Sequence, residues 1–279
     1  MRARGHTRRS RHFLAVALLV CAGSAAAASC PAGTLYLTFD TGHMEPATAI
    51  ADILKKHGVK ATFFLANEKV KEPGKSREAS RSWTLDEAQR PFWQRLVAEG
   101  HAFGSHTWDH HYLRGDVGAD RVRYVPWGAR EGRLLDQAAF CEELRKPERR
   151  FRELTGRGFD GLWRAPGGKV TARALAWAEA CSYRHVHWSE AGFLGDELPS
   201  EAYPNALLVK RALERLRDGD ILMAHLGIWS RREPFWPALD PLIAGLKAKG
   251  FCFATLERSL LGTGINHRVM PRTLRLGQN

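Results

Sequence analysis

Short apolar runs alternate with amphipathic segments along most of this chain. Leu35-Tyr36-Leu37-Thr38-Phe39 reads as a buried strand, and Ala61-Thr62-Phe63-Phe64-Leu65 as the next. Between them Pro46 and Gly58 frame a helix over Ala47 to His57. Thr84-Leu85-Asp86-Glu87 has the form of a capping box for a helix that stops at Gly100, followed by a third strand at His101 to Ser105. From Tyr112 to about Gly161 the pattern blurs. Helical periodicity runs from Leu134 to Leu154, interrupted by Pro147. Leu162-Trp163-Arg164 makes a short strand, Thr171 caps a helix to Cys181, and a strand covers His185 to Trp188. A helix from Asn205 to Arg217, a strand from Ile221 to Ala224, a helix from Leu239 to Lys249 and a strand from Phe251 to Thr255 complete the series. Strands separated by helices imply parallel pairing. About seven such units predict an α/β fold, a single-domain barrel of the (β/α)7 type.

The N-terminus breaks this rhythm. Arg2, Arg4, Arg8, Arg9 and Arg11 precede an apolar run from Phe13 to Ala22, and small residues follow to Ser29. This is the layout of an export signal over residues 1–28, with cleavage after Ala28. The apolar run is too short to span a membrane, so no integral membrane segment is expected. Thr7-Arg8-Arg9 faintly resembles a twin-arginine signal, and Cys30 offers a lipidated start as another route. Removing the five signal arginines lowers the formal charge from +12 to +7. Such an excess suits an anionic envelope glycan or a solvated surface, and no basic stripe with interleaved aromatics argues for nucleic acid. The expected product is periplasmic or extracellular, with a catalytic domain over 29–262 and a basic tail over 263–279 that carries Arg268, Arg272 and Arg275. Cys30, Cys141, Cys181 and Cys252 remain after cleavage and permit two disulfides of undetermined connectivity.

Four ionisable side chains fall at strand ends. Asp40 follows Phe39, His106 follows Ser105, Arg164 ends Leu162-Trp163, and His225 ends Ile221 to Ala224. In a parallel α/β barrel those ends share the face where catalytic groups gather. His106 and His110, spaced i and i+4, would face the same way on a helical turn and converge on one cation, whereas His111 would point elsewhere. Zinc, cobalt or nickel suits imidazole, and a completing carboxylate would admit other ions such as calcium.

Thr38-Phe39-Asp40, His106-Thr107-Trp108-Asp109-His110, Arg164-Ala165-Pro166-Gly167-Gly168 and Met223-Ala224-His225 occur in this order, and Gly250 to Leu256 closes the set. Over Leu35 to Leu256 the chain resembles the polysaccharide deacetylases, carbohydrate esterase family 4. The resemblance implies removal of N-acetyl groups from amino sugars of an envelope polysaccharide, peptidoglycan or another N-acetylhexosamine glycan, with a divalent cation, zinc foremost. It implies Asp40 as the base, His106 and His110 as metal ligands, Arg164 as the partner of Asp40, and His225 as the general acid. Pro166, Gly167 and Trp229 are expected to line the substrate site.

Two positions depart from the family pattern. The carboxylate that usually follows the base and ligates the metal is Thr41 here. Thr41 itself, a water, His43 or Glu45 could complete the site. The carboxylate that tunes the acid histidine is assigned to Asp196, with Glu190 as competitor and Glu197 where a tryptophan is usual. Among nine tryptophans, Trp108, Trp127, Trp229 and Trp236 fall in or near loops, where they either stack on sugar or fill core. The stretch from Tyr112 to Arg133 is placed to shape access. Other readings of the same residues are a glycan-binding protein with a decayed metal site, a deformylase, and a metal-independent amide or cyclic-imide hydrolase.

Overall fold

A computed structural model describes Met1 and residues 29–257. The expected signal segment, residues 258–262 and the basic tail lie outside the described residues.

The strands form where the apolar runs predict them. β1 (Gly33–Asp40), β2 (Thr62–Leu65) and β3 (Ala102–Ser105) alternate with α1 (Ala47–His57) and α2 (Arg90–Ala98). Gly58, at φ +63°, closes α1 in the left-handed conformation, and Lys55, Lys56 and His57 sit in its last turn against the negative end of the helix dipole. The blurred stretch resolves into three strands, β4 (Tyr112–Val117), β5 (Arg121–Val125) and β6 (Arg133–Leu135), which pair antiparallel as a separate small sheet. Its buried Leu113, Val122, Tyr124 and Leu135 pack on Phe140, Leu144 and Trp163. α3 (Gln137–Thr155) runs unbroken through Pro147, because Phe140, Leu144, Pro147, Phe151 and Leu154 form one continuous buried stripe. Burial of that stripe outweighs the lost backbone bond.

β7 (Leu162–Trp163), α4 (Ala172–Ala180), β8 (Arg184–His185), α5 (Asn205–Arg215), β9 (Ile221–His225), α6 (Leu239–Ala248) and β10 (Phe251–Phe253) complete the chain. Thr171 caps α4 by accepting from the Ala174 amide. Thr84 caps nothing. Its hydroxyl is taken by the Glu68 amide and the Ala66 carbonyl, and the helix begins later, after a 3-10 turn at Glu87–Gln89.

The main sheet is parallel, in the order β10-β1-β2-β3-β7-β8, with β9 on β1 as well. β10 pairs with the first residues of β1, and β9 with Tyr36 to Asp40. The sheet curls into a half-barrel flanked by helices. Closure is incomplete among the described residues, because β8 stops at His185 and only Phe193 bridges onwards, to Met223 of β9. Leu35, Leu37, Phe39, Phe63, Trp93, Phe103 and Phe151 are almost wholly buried between sheet and helices. Each contributes about 1.5–3 kcal/mol by leaving water. Cys30–Cys252 ties the entry to β1 to β10, and Cys141–Cys181 ties α3 to the end of α4, with Cα atoms 5.4 and 5.9 Å apart.

Candidate active site

Sheet register brings the strand-end residues together. Asp40 pairs with His225 across β1 and β9, and Ser105, just before His106, pairs with Trp163, just before Arg164. Parallel pairing therefore sets Asp40, His106, Arg164 and His225 along one rim of the curled sheet.

Asp40 is 2% exposed, and Arg164 is fully buried. Arg164 Nη1 donates to Asp40 Oδ1 and to Thr38 Oγ1, each at 2.8 Å. Its guanidinium lies 4.2 Å over the Phe64 ring. Burial is the largest influence on the Asp40 carboxyl and would raise its pKa, but Arg164, His106 and His225 together hold it below the usual value. Asp40 is thus an anion at neutral pH. Its second oxygen, Oδ2, faces His106 Nε2 at 3.6 Å.

His225 makes the opposite case. Its Nδ1 lies 3.1 Å from Asp196 Oδ1, and its backbone amide donates to Asp196 Oδ2 at 2.7 Å. Burial, again the largest influence, would lower the imidazole, yet Asp196, Asp40 and Glu197 outweigh it and raise the pKa to about 10. An ionised carboxylate and a protonated imidazole therefore stand on adjacent strands. Glu190, the competing carboxylate, is exposed.

The two histidines after β3 meet, but no helix presents them. Thr107 and His110 adopt left-handed φ of +65° and +54°, and the segment is an irregular bend. Each such residue costs roughly 1 kcal/mol. The bend is held from outside. Tyr124 donates its hydroxyl to Thr107 Oγ1 at 2.8 Å, and the Trp108 carbonyl accepts from the Asn67 amide at 3.0 Å. The His106 and His110 rings end 4.8 Å apart, and His111 turns to the Tyr124 ring instead.

His106 Nδ1 lies 2.9 Å from the Arg164 carbonyl, so that nitrogen carries the hydrogen and Nε2 keeps its lone pair. A lone pair facing the Asp40 carboxylate leaves a gap that suits a cation. A second gap of 3.5 Å separates His110 Nδ1 from Glu68 Oε1. Neither distance is a hydrogen bond. Imidazole nitrogens with carboxylate oxygens are the donor chemistry of zinc and its neighbours, and to that extent these residues fit a divalent cation. The donors stand as two facing pairs. Among the described residues, no three His, Cys, Asp or Glu side chains are already gathered into a cage.

Thr41 is buried beside Asp40, with its hydroxyl donated to Glu68 Oε2 at 2.6 Å and accepting from the Ala66 amide at 3.1 Å. His43 and Glu45 turn away from the two histidines. His43 Nδ1 accepts from the Glu45 amide at 3.2 Å and its ring meets Trp229 edge-on, while Glu45 pairs with Lys71 at the surface. Pro166 is buried, and Gly167, at φ +60°, lies so close to Tyr112 that a Cβ would come within 2.6 Å of the ring. Trp229 is half-buried beside His43, Trp127 is 71% exposed, Trp108 lies under Lys146, and Trp236 packs on the core. Sequence reasoning passed over Thr38, which shares Arg164 with Asp40, and over Glu68. β2 was the one early strand with no polar group assigned near its carboxyl end, a gap that does not by itself single out Glu68 within the charged segment that follows.

A family model described as polysaccharide deacetylase matches residues 28–186. A chitooligosaccharide deacetylase of Azorhizobium caulinodans is 28% identical over 246 residues, spanning 84% of this chain and 98% of that protein. A peptidoglycan-N-acetylglucosamine deacetylase of Bacillus cereus is 27% identical over 221 residues, spanning 79% of this chain and 66% of the relative. A crystal structure of a peptidoglycan N-acetylglucosamine deacetylase superposes with a TM-score of 0.59 at 26% identity, over 82% of this chain and 89% of that one.

Proposed function

The chain belongs to the polysaccharide deacetylase family, carbohydrate esterase family 4, and on that premise we propose that it is an exported, metal-dependent hydrolase that removes N-acetyl groups from amino sugars of a cell-envelope glycan. The observation that carries this reading is the pairing of an anionic Asp40, held by Arg164, with a protonated His225, held by Asp196, on adjacent strands.

Amide hydrolysis needs a deprotonated water, a stabilised oxyanion and a proton for a poor leaving group. Asp40 accepts the proton of the attacking water through Oδ2, the oxygen that Arg164 Nη1 does not occupy. Arg164 fixes the carboxylate and keeps it ionised. His225 gives its proton to the departing amine nitrogen, and Asp196 stabilises the imidazolium until then. The carbon–nitrogen bond breaks as water supplies the new carbon–oxygen bond, leaving acetate and a free amino sugar. His106 and His110 would hold a divalent cation, zinc foremost, which supplies Lewis-acid polarisation of the acyl carbonyl.

Supporting the substrate class are the names of both curated relatives, which act on chitooligosaccharide and peptidoglycan. The basic charge suits an anionic wall polymer. Two disulfides suit an oxidising compartment and hence export. Among the described residues no helix is long and apolar enough to cross a membrane.

The test uses the chain from residue 29 onward. Metal analysis should find about one divalent ion per chain, lost in His106→Ala. Acetate release from N-acetylglucosamine oligomers and peptidoglycan should fall by about 10²–10⁴-fold in Asp40→Asn. A wild-type chain that holds no zinc, cobalt, nickel or calcium refutes the metal reading. Acetate release that survives Asp40→Asn refutes the assignment of the base.

A further inference from the structure

Where the family pattern places a second carboxylate beside the base, this chain has Thr41, and the structure sets another carboxylate against that hydroxyl. Glu68 lies three residues beyond the end of β2, in a segment whose charges read as a solvated loop. Its side chain is only 11% exposed. Thr41 Oγ1 donates to Glu68 Oε2 at 2.6 Å, and Oε1 is turned to His110 Nδ1 at 3.5 Å.

The backbone that carries Glu68 is equally fixed. The Glu68 amide donates to Thr84 Oγ1 at 3.0 Å, the Ala66 amide to Thr41 Oγ1, and the Asn67 amide to the Trp108 carbonyl within the bend that bears both histidines. A glutamate whose ordinary place is in water is here withdrawn from it, with no lysine or arginine bonded to its carboxylate among the described residues. Buried carboxylates require a counter-charge. Its direct partners are a neutral threonine hydroxyl and, at 3.5 Å, an imidazole, and a cation between Glu68 and His110 would supply the counter-charge at close range.

The gap between His110 Nδ1 and Glu68 Oε1, 3.5 Å, is close to the separation between ligand atoms around a tetrahedral zinc ion, roughly 3.3 Å from its bond lengths. We propose that Glu68 is the carboxylate ligand of the divalent cation, and that Thr41 is not a ligand but the positioning residue that aims it. The metal-binding carboxylate has thus moved from the end of β1 to the loop after β2. This inference rests on the metal reading above and sharpens it. Because Asp40 need not double as a ligand, its Oδ2 remains free for the water's proton.

Zinc binding to the chain from residue 29 onward, measured by competition with a chromophoric chelator, tests the assignment without recourse to activity. In a chain that retains its far-UV circular dichroism, Glu68→Gln should weaken zinc by about 100-fold, the upper end of what loss of even an outer-sphere partner costs. Adding Thr41→Asp to Glu68→Gln should restore most of that affinity, since it returns a carboxylate to the β1 position. The absorption of the cobalt(II) form should change in Glu68→Gln and return towards its original shape in the double variant. Zinc affinity unchanged in Glu68→Gln, while His106→Ala abolishes binding, would overturn the role of Glu68 and leave the proposed function standing. A wild-type chain that binds no zinc, cobalt, nickel or calcium would overturn both. If Glu68→Gln unfolds, Thr41→Val carries the test, because it leaves Glu68 but removes its partner. A loss of about tenfold is then expected, and undiminished affinity would refute the positioning role.

Discussion

At His225 two influences of opposite sign compete. Burial favours the neutral ring, and the Asp196 carboxylate 3.1 Å away favours the charged one. The carboxylate prevails, so the folded-state pKa of about 10 stands above the ordinary 6.5. A raised pKa means that the imidazolium stabilises the fold fully below pH about 6.5, and that this contribution disappears as the pH rises through about 10. In the proposed mechanism catalysis would share that window, with His225 still protonated at neutral pH. Asp196→Asn keeps the acceptor for the His225 amide but removes the charge. The alkaline limb of the kcat/KM profile should then move down by roughly 1–3 units. A profile that does not move would shift the tuning role from Asp196 to Asp40 and Glu197, the other carboxylates that raise His225. The residues at strand ends were legible because a polar side chain that terminates an apolar run is conspicuous. Glu68 was not legible, because nothing in Asn67-Glu68-Lys69-Val70-Lys71 distinguishes a buried carboxylate from its solvated neighbours. Only the contact with Thr41, 27 positions away in sequence, reveals it.

Among the elements, β1 and β9 decide most. The loops that leave them stay in contact: His43 and Met44 donate to the Gly227 and Leu226 carbonyls, and Leu226 donates to the Asp40 carbonyl. Gly42 permits this approach, since a Cβ there would lie 2.1 Å from the Gly227 oxygen. Gly42→Ala should therefore cost about 1–3 kcal/mol in urea unfolding and reduce turnover, as the strand ends bearing the proposed base and acid are pushed apart. Equal stability and turnover in that variant would show that the approach is dispensable. Helices and strands with strong periodicity were readable to within a few residues. β4 to β6 were not, because a small sheet with one face in solvent, bulged near Gly115, gives only a fragment of alternation. The bend between His106 and His110 was misread for a related reason. Its left-handed residues are a threonine and a histidine, neither of which announces such a conformation as glycine does, and Tyr124, on another sheet, holds them there.

On the scale of the whole molecule, Cys30–Cys252 is a long-range staple of the curled sheet, and Cys141–Cys181 joins two of its flanking helices. Cys30 and Cys252 are 222 residues apart in sequence, so their bond restricts nearly all of the unfolded chain. Its loss in the Cys30→Ser, Cys252→Ser variant should lower stability by about 3 kcal/mol in urea. Activity at 25 °C should persist, because the bond lies by the first residues of β1, at the opposite end of that strand from Asp40. Comparable loss of activity in the folded variant would contradict this separation of staple from site. The barrel-like series of strands was readable from the sequence, while the pairing of the cysteines depended on which strands become neighbours. The pairing is also nested, with Cys141–Cys181 inside the span closed by Cys30–Cys252. With the proposed export, a chain delivered amino-terminus first into an oxidising compartment offers Cys30 and Cys141 to each other well before Cys252 arrives. Oxidation in order of arrival would trap the wrong partners. The outer bond matches the arrangement in which β10 lies beside β1, so its correct formation reports that the first and last strands have met.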